Sequence, residues 1–184
     1  MYHLAVLLLL AGCATQLLPS QPVARPAEAE TRPFVLTGRI AVKYDGERSS
    51  AGVRWAHQTA EDEVLLLAPL GQTVARIRRD AQGVALDTSD KHYAAQDVEE
   101  LTHQVLGWQL PLGGLRNWVL ALPAAQSTAS VERDANGQIS VMRQDGWVIR
   151  YTRYATQAAD SLPLRMSLQQ EGIEIQLLID EWEI

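Results

Sequence analysis

Phe34-Val35-Leu36-Thr37-Gly38-Arg39-Ile40-Ala41-Val42-Lys43-Tyr44 alternates along its whole length. Phe34, Leu36, Gly38, Ile40, Val42 and Tyr44 fall on one face, and Thr37, Arg39 and Lys43 on the other. A period of two marks a strand with one buried face. Asp45-Gly46 then supplies a hairpin turn. Residues 50–57 repeat the pattern, with Ala51, Val53 and Trp55 on one side. Residues 63–68 are apolar on both faces at Leu65, Leu66 and Leu67, as suits a central strand covered on both sides. Ala68-Pro69-Leu70-Gly71-Gln72 ends that strand in a turn, because Pro69 cannot donate to a ladder and Gly71 tolerates positive φ. Leu70 sits at the tip, where polar residues are usual. Local chemistry favours its folding back onto the core; exposure would make sense beside a membrane.

Further along, residues 73–79 form a fourth strand whose Arg76, Arg78 and Arg79 read as a solvated face. Residues 84–88 and 92–94 give two more strands. The period then changes. Asp97 with Glu100 three residues on resembles a capping box, Val98, Leu101 and Val105 follow at helical spacing, and Gly107 is a natural stop. Leu112, Leu115, Trp118 and Val119 form a second apolar stripe opened by Pro111. Gly113-Gly114 weakens that helix by about 1 kcal/mol each relative to alanine, so a short element, tightly packed or mobile, is expected. Strands return over 128–133, 139–144 and 147–154, separated by Asn136-Gly137 and Asp145-Gly146, and a last pair over 164–168 and 173–179 flanks Glu171-Gly172. The expected architecture is mainly β: about eleven antiparallel strands curled into an incomplete barrel, with a small helical lid inserted between the first six and the last five.

The chain has 184 residues, 47% hydrophobic and 21% charged, with a formal net charge of −6. That length suits one domain, residues 34–184, and the acidic balance argues against a nucleic-acid partner. Cys13 is the only cysteine, so no intramolecular disulfide can form. No apolar run reaches the roughly 18 residues of a membrane-spanning helix. Residues 4–11 are a continuous apolar run of the length found in the core of a secretory signal. Leu10-Ala11-Gly12-Cys13 resembles the bacterial lipobox, which implies cleavage of a signal at 1–12 and lipidation (palmitate included) of Cys13. The usual basic start is missing, since only Met1-Tyr2-His3 precede the run. Residues 13–33 then form a lipidated cysteine and tether, with Pro22, Pro26 and Pro33 interrupting polar sequence that cannot build a core. Ala14, where an aspartate would favour inner-membrane retention, points to the outer membrane by resemblance to bacterial lipoproteins.

The sequence carries no recognisable catalytic arrangement. There is no G-x-S-x-G elbow, and His57, His92 and His103 fall on separate elements without metal-ligand spacing. Glu61-Asp62-Glu63 reads as a solvated turn and Glu99-Glu100 as the wet side of a helix. No catalytic residue, metal or cofactor is expected.

Phe34-x-Leu36-x-Gly38-Arg39-x-Ala41-Val42, then Trp55, then Ala68-Pro69-Leu70-Gly71-Gln72, resembles the outer-membrane lipoprotein receptor LolB family. So do Leu106-Gly107-Trp108-x-Leu110-Pro111-Leu112 with Leu115 and Trp118, Gln144-x-Gly146-Trp147, and Trp182. The resemblance implies an incomplete barrel with helices over an apolar cavity. It implies a non-enzymatic, outer-membrane-anchored receptor facing the periplasm of a Gram-negative bacterium. Such a receptor accepts lipoproteins from the periplasmic carrier LolA and delivers them to outer-membrane lipid without nucleotide or metal. The same resemblance makes Pro69-Leu70-Gly71 a membrane-insertion loop, with Leu70 exposed. An apolar cavity for the acyl chains of the lipoprotein cargo would be lined by Ile40, Val42, Trp55, Leu66, Val105, Leu115, Trp118, Ile149 and Tyr151, each of which could equally be ordinary core. The protein is expected to be a monomer. The rivals are a lipid-anchored, lipocalin-like binder of a small apolar ligand with a closed pocket, an envelope structural lipoprotein with a packed barrel, and an esterase.

Overall fold

The structure, a computed structural model, describes residues 33–184. The signal, Cys13 and the tether up to residue 32 lie outside the described residues. Eleven strands form one antiparallel sheet: β1 (Phe34–Tyr44), β2 (Glu47–His57), β3 (Asp62–Leu67), β4 (Thr73–Asp80), β5 (Gly83–Thr88), β6 (His92–Ala95), β7 (Ser130–Arg133), β8 (Ile139–Gln144), β9 (Trp147–Tyr154), β10 (Pro163–Gln170) and β11 (Ile173–Glu183). Their order is β6-β5-β4-β3-β2-β1-β11-β10-β9-β8-β7, so the first and last strands pair at the centre. β6 and β7 are the two edges of an open sheet. The chain passes from one edge to the other through α1 (Val98–Leu106) and α2 (Leu112–Trp118), as the change of period predicts.

Alternation settles which face is inside. Phe34, Leu36, Val53, Trp55, Val64, Ile77, Leu86, Ile175 and Ile179 share a core with Leu101, Leu112, Leu115 and Trp118 of the helices. The central seam needs a glycine. The β1–β11 register shifts between Thr37 and Gly38, and a Cβ at Gly38 would lie 2.0 Å from the Leu178 carbonyl oxygen. Only hydrogen fits at that approach. Phe34 meets Trp55 and Trp182 edge-on, and the Trp182 indole donates to the Pro163 carbonyl at 2.9 Å, closing the seam at one end.

Each helix is shaped by a different kind of residue. In α1 the Asp97 side chain accepts from the Glu100 amide at 2.7 Å, and Gly107 at φ 79° stops the helix with its N–H on His103 O. α2 has no side-chain cap. Its Gly114 resolves the tightly-packed-or-mobile alternative toward packing, because a Cβ there would lie 2.5 Å from the Trp118 ring. That space is needed for the indole to fold back along its own helix.

Candidate functional site

Leu67 ends β3, and the turn after it is closed by two backbone bonds. The Gly71 N–H donates to Ala68 O at 2.8 Å and the Ala68 N–H to Gln72 O at 2.9 Å, with Gly71 at φ 84°. Leu70 stands 86% exposed at the tip and does not fold back onto the core. Because the strands alternate in direction, the β1–β2, β3–β4 and β10–β11 turns share one end of the sheet. Tyr44 lies at that end, and its hydroxyl donates to the Gly107 carbonyl at 3.0 Å, bringing the C-terminus of α1 there too. Tyr44, Val74 and Leu106 are also exposed apolar residues of this end.

The nine apolar candidates divide. Ile40, Val42, Leu66 and Val105 are half-buried against the core, and each lies toward the end that carries Leu70. Trp55, Leu115, Trp118, Ile149 and Tyr151 are buried and packed into the main core. The interior of the open barrel is thus filled by side chains of β2, β9 and α2, while the half-buried apolar surface lies nearer its mouth.

Beneath α2 lies a buried polar cluster. Asp62 Oδ1 accepts from the Trp55 indole at 3.0 Å and from His57 Nδ1 at 2.7 Å. Its Oδ2 takes Arg79 Nε at 2.7 Å and Arg116 Nη2 at 2.9 Å. Burial, the largest single influence on Asp62, pushes its carboxyl up. The bonds and charges of His57, Arg116, Arg79 and Trp55 together outweigh it and hold Asp62 below its ordinary 3.8. For Arg116, burial lowers the pKa most, the Asp62 carboxylate opposes it, and the neighbouring Arg79 lowers it further. The carboxylate therefore stays ionised and serves as the fixed acceptor to which α2 is tied. His57 Nε2, Arg79 Nη2 and Arg116 Nε are buried without a protein partner, so the cluster carries donor capacity beyond what Asp62 absorbs.

Trp118, two residues on in the same last turn of α2, is held as firmly. Gln144 Oε1 accepts from the Trp118 indole at 2.8 Å and from the Ala124 amide at 2.9 Å. Gln144 Nε2 donates to the carbonyls of Ala124 and Ser127. The Tyr151 hydroxyl donates to Trp118 O at 2.8 Å. α2 is bound to β3 through Arg116 and to β8 and β9 through Trp118.

Two sequence expectations are corrected by this cluster. Asp62 is not part of a solvated turn: it opens β3 and is 3% exposed. Arg79 is not part of a solvated arginine face: it turns inward, while Arg76 and Arg78 remain exposed. Strand parity carries the missed signal. Asp62, Val64 and Leu66 share one face, as do Ile77 and Arg79, and Trp55 and His57. Among the described residues, no group of three or more His, Cys, Asp or Glu is placed to hold a metal.

The comparisons agree with this architecture. A family model described as "Outer membrane lipoprotein LolB" matches residues 32–182. The outer-membrane lipoprotein LolB of Nitrosomonas europaea is 41% identical over 98% of this chain and 90% of its own length. That of Chromobacterium violaceum is 39% identical over 98% of this chain and 96% of its own. Among solved structures, a LolA superfamily protein from Nitrosomonas europaea superposes with a TM-score of 0.52 at 9% identity, covering 84% of this chain and 86% of that one. The last likeness shows the fold alone. The first three span nearly the whole described domain, and on them the chain belongs to the LolB family of outer-membrane lipoproteins.

Proposed function

We propose that this protein is an outer-membrane receptor that accepts lipoproteins from the periplasmic carrier LolA and passes their acyl chains to the bilayer, itself anchored through lipidated Cys13. Family membership and the LolA-superfamily fold support the reading. The observation that carries the delivery step is Leu70, a fully presented leucine on a proline–glycine turn at the same end as the half-buried Ile40, Val42, Leu66 and Val105. An acyl chain costs about 0.8 kcal/mol per CH₂ in water, so cargo must pass from one apolar surface to another without being released. The open barrel offers that surface at its mouth, and Leu70 enters lipid first. Burying one leucine contributes roughly 1.5–3 kcal/mol, enough to bias docking but not to anchor the protein. No fuel is needed if affinity for the acyl chains rises in order from carrier to receptor to bilayer. The site carries out transfer, not bond chemistry.

The test is transfer of a radiolabelled lipoprotein from its LolA complex to outer membranes, comparing the parent with Leu70→Glu. Acceptance by both, with delivery by the parent alone, is the expected result. Leu70 is exposed, so its replacement should change folding stability by less than about 0.5 kcal/mol. Equal delivery by both would return Leu70 to an ordinary surface residue. Failure of the parent to accept cargo would remove the receptor reading and leave the binder of a small apolar ligand.

A further inference from the structure

We infer that the two helices divide the work at the mouth: α2 is a fixed wall, α1 is the moving flap, and Tyr44 is the latch that holds the flap shut. This rests on the receptor reading above and adds the element that controls access. α2 is tied by charge and hydrogen bonds to three strands, β3, β8 and β9, through Asp62–Arg116, Trp118–Gln144 and Tyr151–Trp118. Moving it would pull Arg116 away from the buried Asp62 carboxylate and leave the Trp118 indole unpaired. α1 is held unevenly. Its buried residues, Val98, Leu101 and Thr102, lie in its first half. His103, Gln104 and Leu106 are exposed, and Val105 is half-buried.

At the free end of α1, one bond reaches across to the sheet, from the Tyr44 hydroxyl to Gly107 O, between two exposed residues. A bond from α1 to the linker marks the point about which α1 can swing while α2 stays. The Leu110 amide donates to the Thr102 hydroxyl at 2.8 Å, pinning the linker to the buried half of α1. The C-terminal half of α1 can therefore lift about that point and uncover Ile40, Val42, Leu66 and Val105, while α2 keeps its place.

Amide hydrogen exchange on the full-length protein in liposomes tests this, comparing the parent with Tyr44→Phe. Phenylalanine keeps the ring beside Gly107 and removes only the hydroxyl. In the parent, the amides of residues 104–107 should exchange faster than those of 115–118. Tyr44→Phe should speed exchange at 104–107 by roughly 2- to 10-fold, the range expected for one exposed hydrogen bond, and leave 115–118 unchanged. Unchanged exchange at 104–107 would overturn the latch. A joint rise in both segments would overturn the division, because the helices would then move as one body. The same variant should accept cargo from the carrier faster than the parent, and unchanged acceptance alongside faster exchange would overturn the gating role. Exchange is read without cargo, so a parent that accepts no cargo would sink the receptor reading alone.

Discussion

α1 and α2 sit side by side in the chain and are built on opposite principles. α1 carries its instructions locally, with an aspartate cap, acidic residues in its first turn, a glycine stop and an apolar stripe. α2 carries almost none. It has seven residues, two of them glycine, and no side-chain cap, so it would not persist as an isolated helix. Yet α2 is the more firmly fixed of the two. Trp118, Val119 and Leu120 are at most 1% exposed, and an ion pair and a side-chain amide pin its last turn. Intrinsic helicity and tertiary anchoring are separate quantities, and this fold gives each helix a different one. A helix with its own caps keeps its shape locally, whereas a poor helix can be held in place by its neighbours.

The contrast breaks most readily at Asp62. Replacing Asp62 by alanine leaves two partly buried guanidinium groups without their shared, buried counter-ion and should cost about 3–5 kcal/mol in denaturant unfolding. A loss of under 1 kcal/mol would mean that α2 is held by apolar packing alone. The acid dependence of the same carboxylate comes next. Its folded pKa lies below the unfolded 3.8, so its contribution is complete above that value and is lost as pH falls through the folded one. Thermal melts from about pH 6 down to about pH 3 should show a steeper loss in the parent than in Asp62→Asn. Parallel curves would assign acid sensitivity to other carboxylates.

At the second anchor of α2, Gln144→Ala leaves the buried Trp118 indole N–H and the Ala124 amide without their acceptor. The expected cost is about 1–3 kcal/mol, with tryptophan fluorescence reporting the change around Trp118 and Trp147. The smallest effect sharpens the other side of the comparison. Asp97→Ala removes the α1 cap at a cost of about 1 kcal/mol and should raise amide exchange at the start of α1 while α2 is untouched. A larger loss spread over both helices would mean that α1 is also part of the rigid frame.

Much of this was legible in the chain itself. Alternation in Phe34–Tyr44 set the first strand residue for residue, and the turn pairs at Asp45-Gly46, Asp145-Gly146 and Glu171-Gly172 set the hairpins. The cap and stop of α1 followed from Asp97 and Gly107. These are local: backbone conformation and the side-chain period depend on near neighbours in sequence. Leu70 lay between. Its turn was readable from Pro69 and Gly71, but its exposure followed from family resemblance and not from local chemistry, which favoured the opposite.

What only the tertiary structure decided is pairing across distance. Asp62 reads as one acid among three until β3 is set against β4 and α2, when Arg79 and Arg116 converge on it from 17 and 54 positions away in the chain. Gln144 reads as a polar strand end until Trp118 folds onto it. The order of the strands, with β1 beside β11 at the centre, belongs to the same class. A charge in a strand is solvated or buried according to what the fold lays over it. Sequence alone gives the face on which Asp62 lies, and the partners that make its burial tolerable are supplied only when distant segments meet.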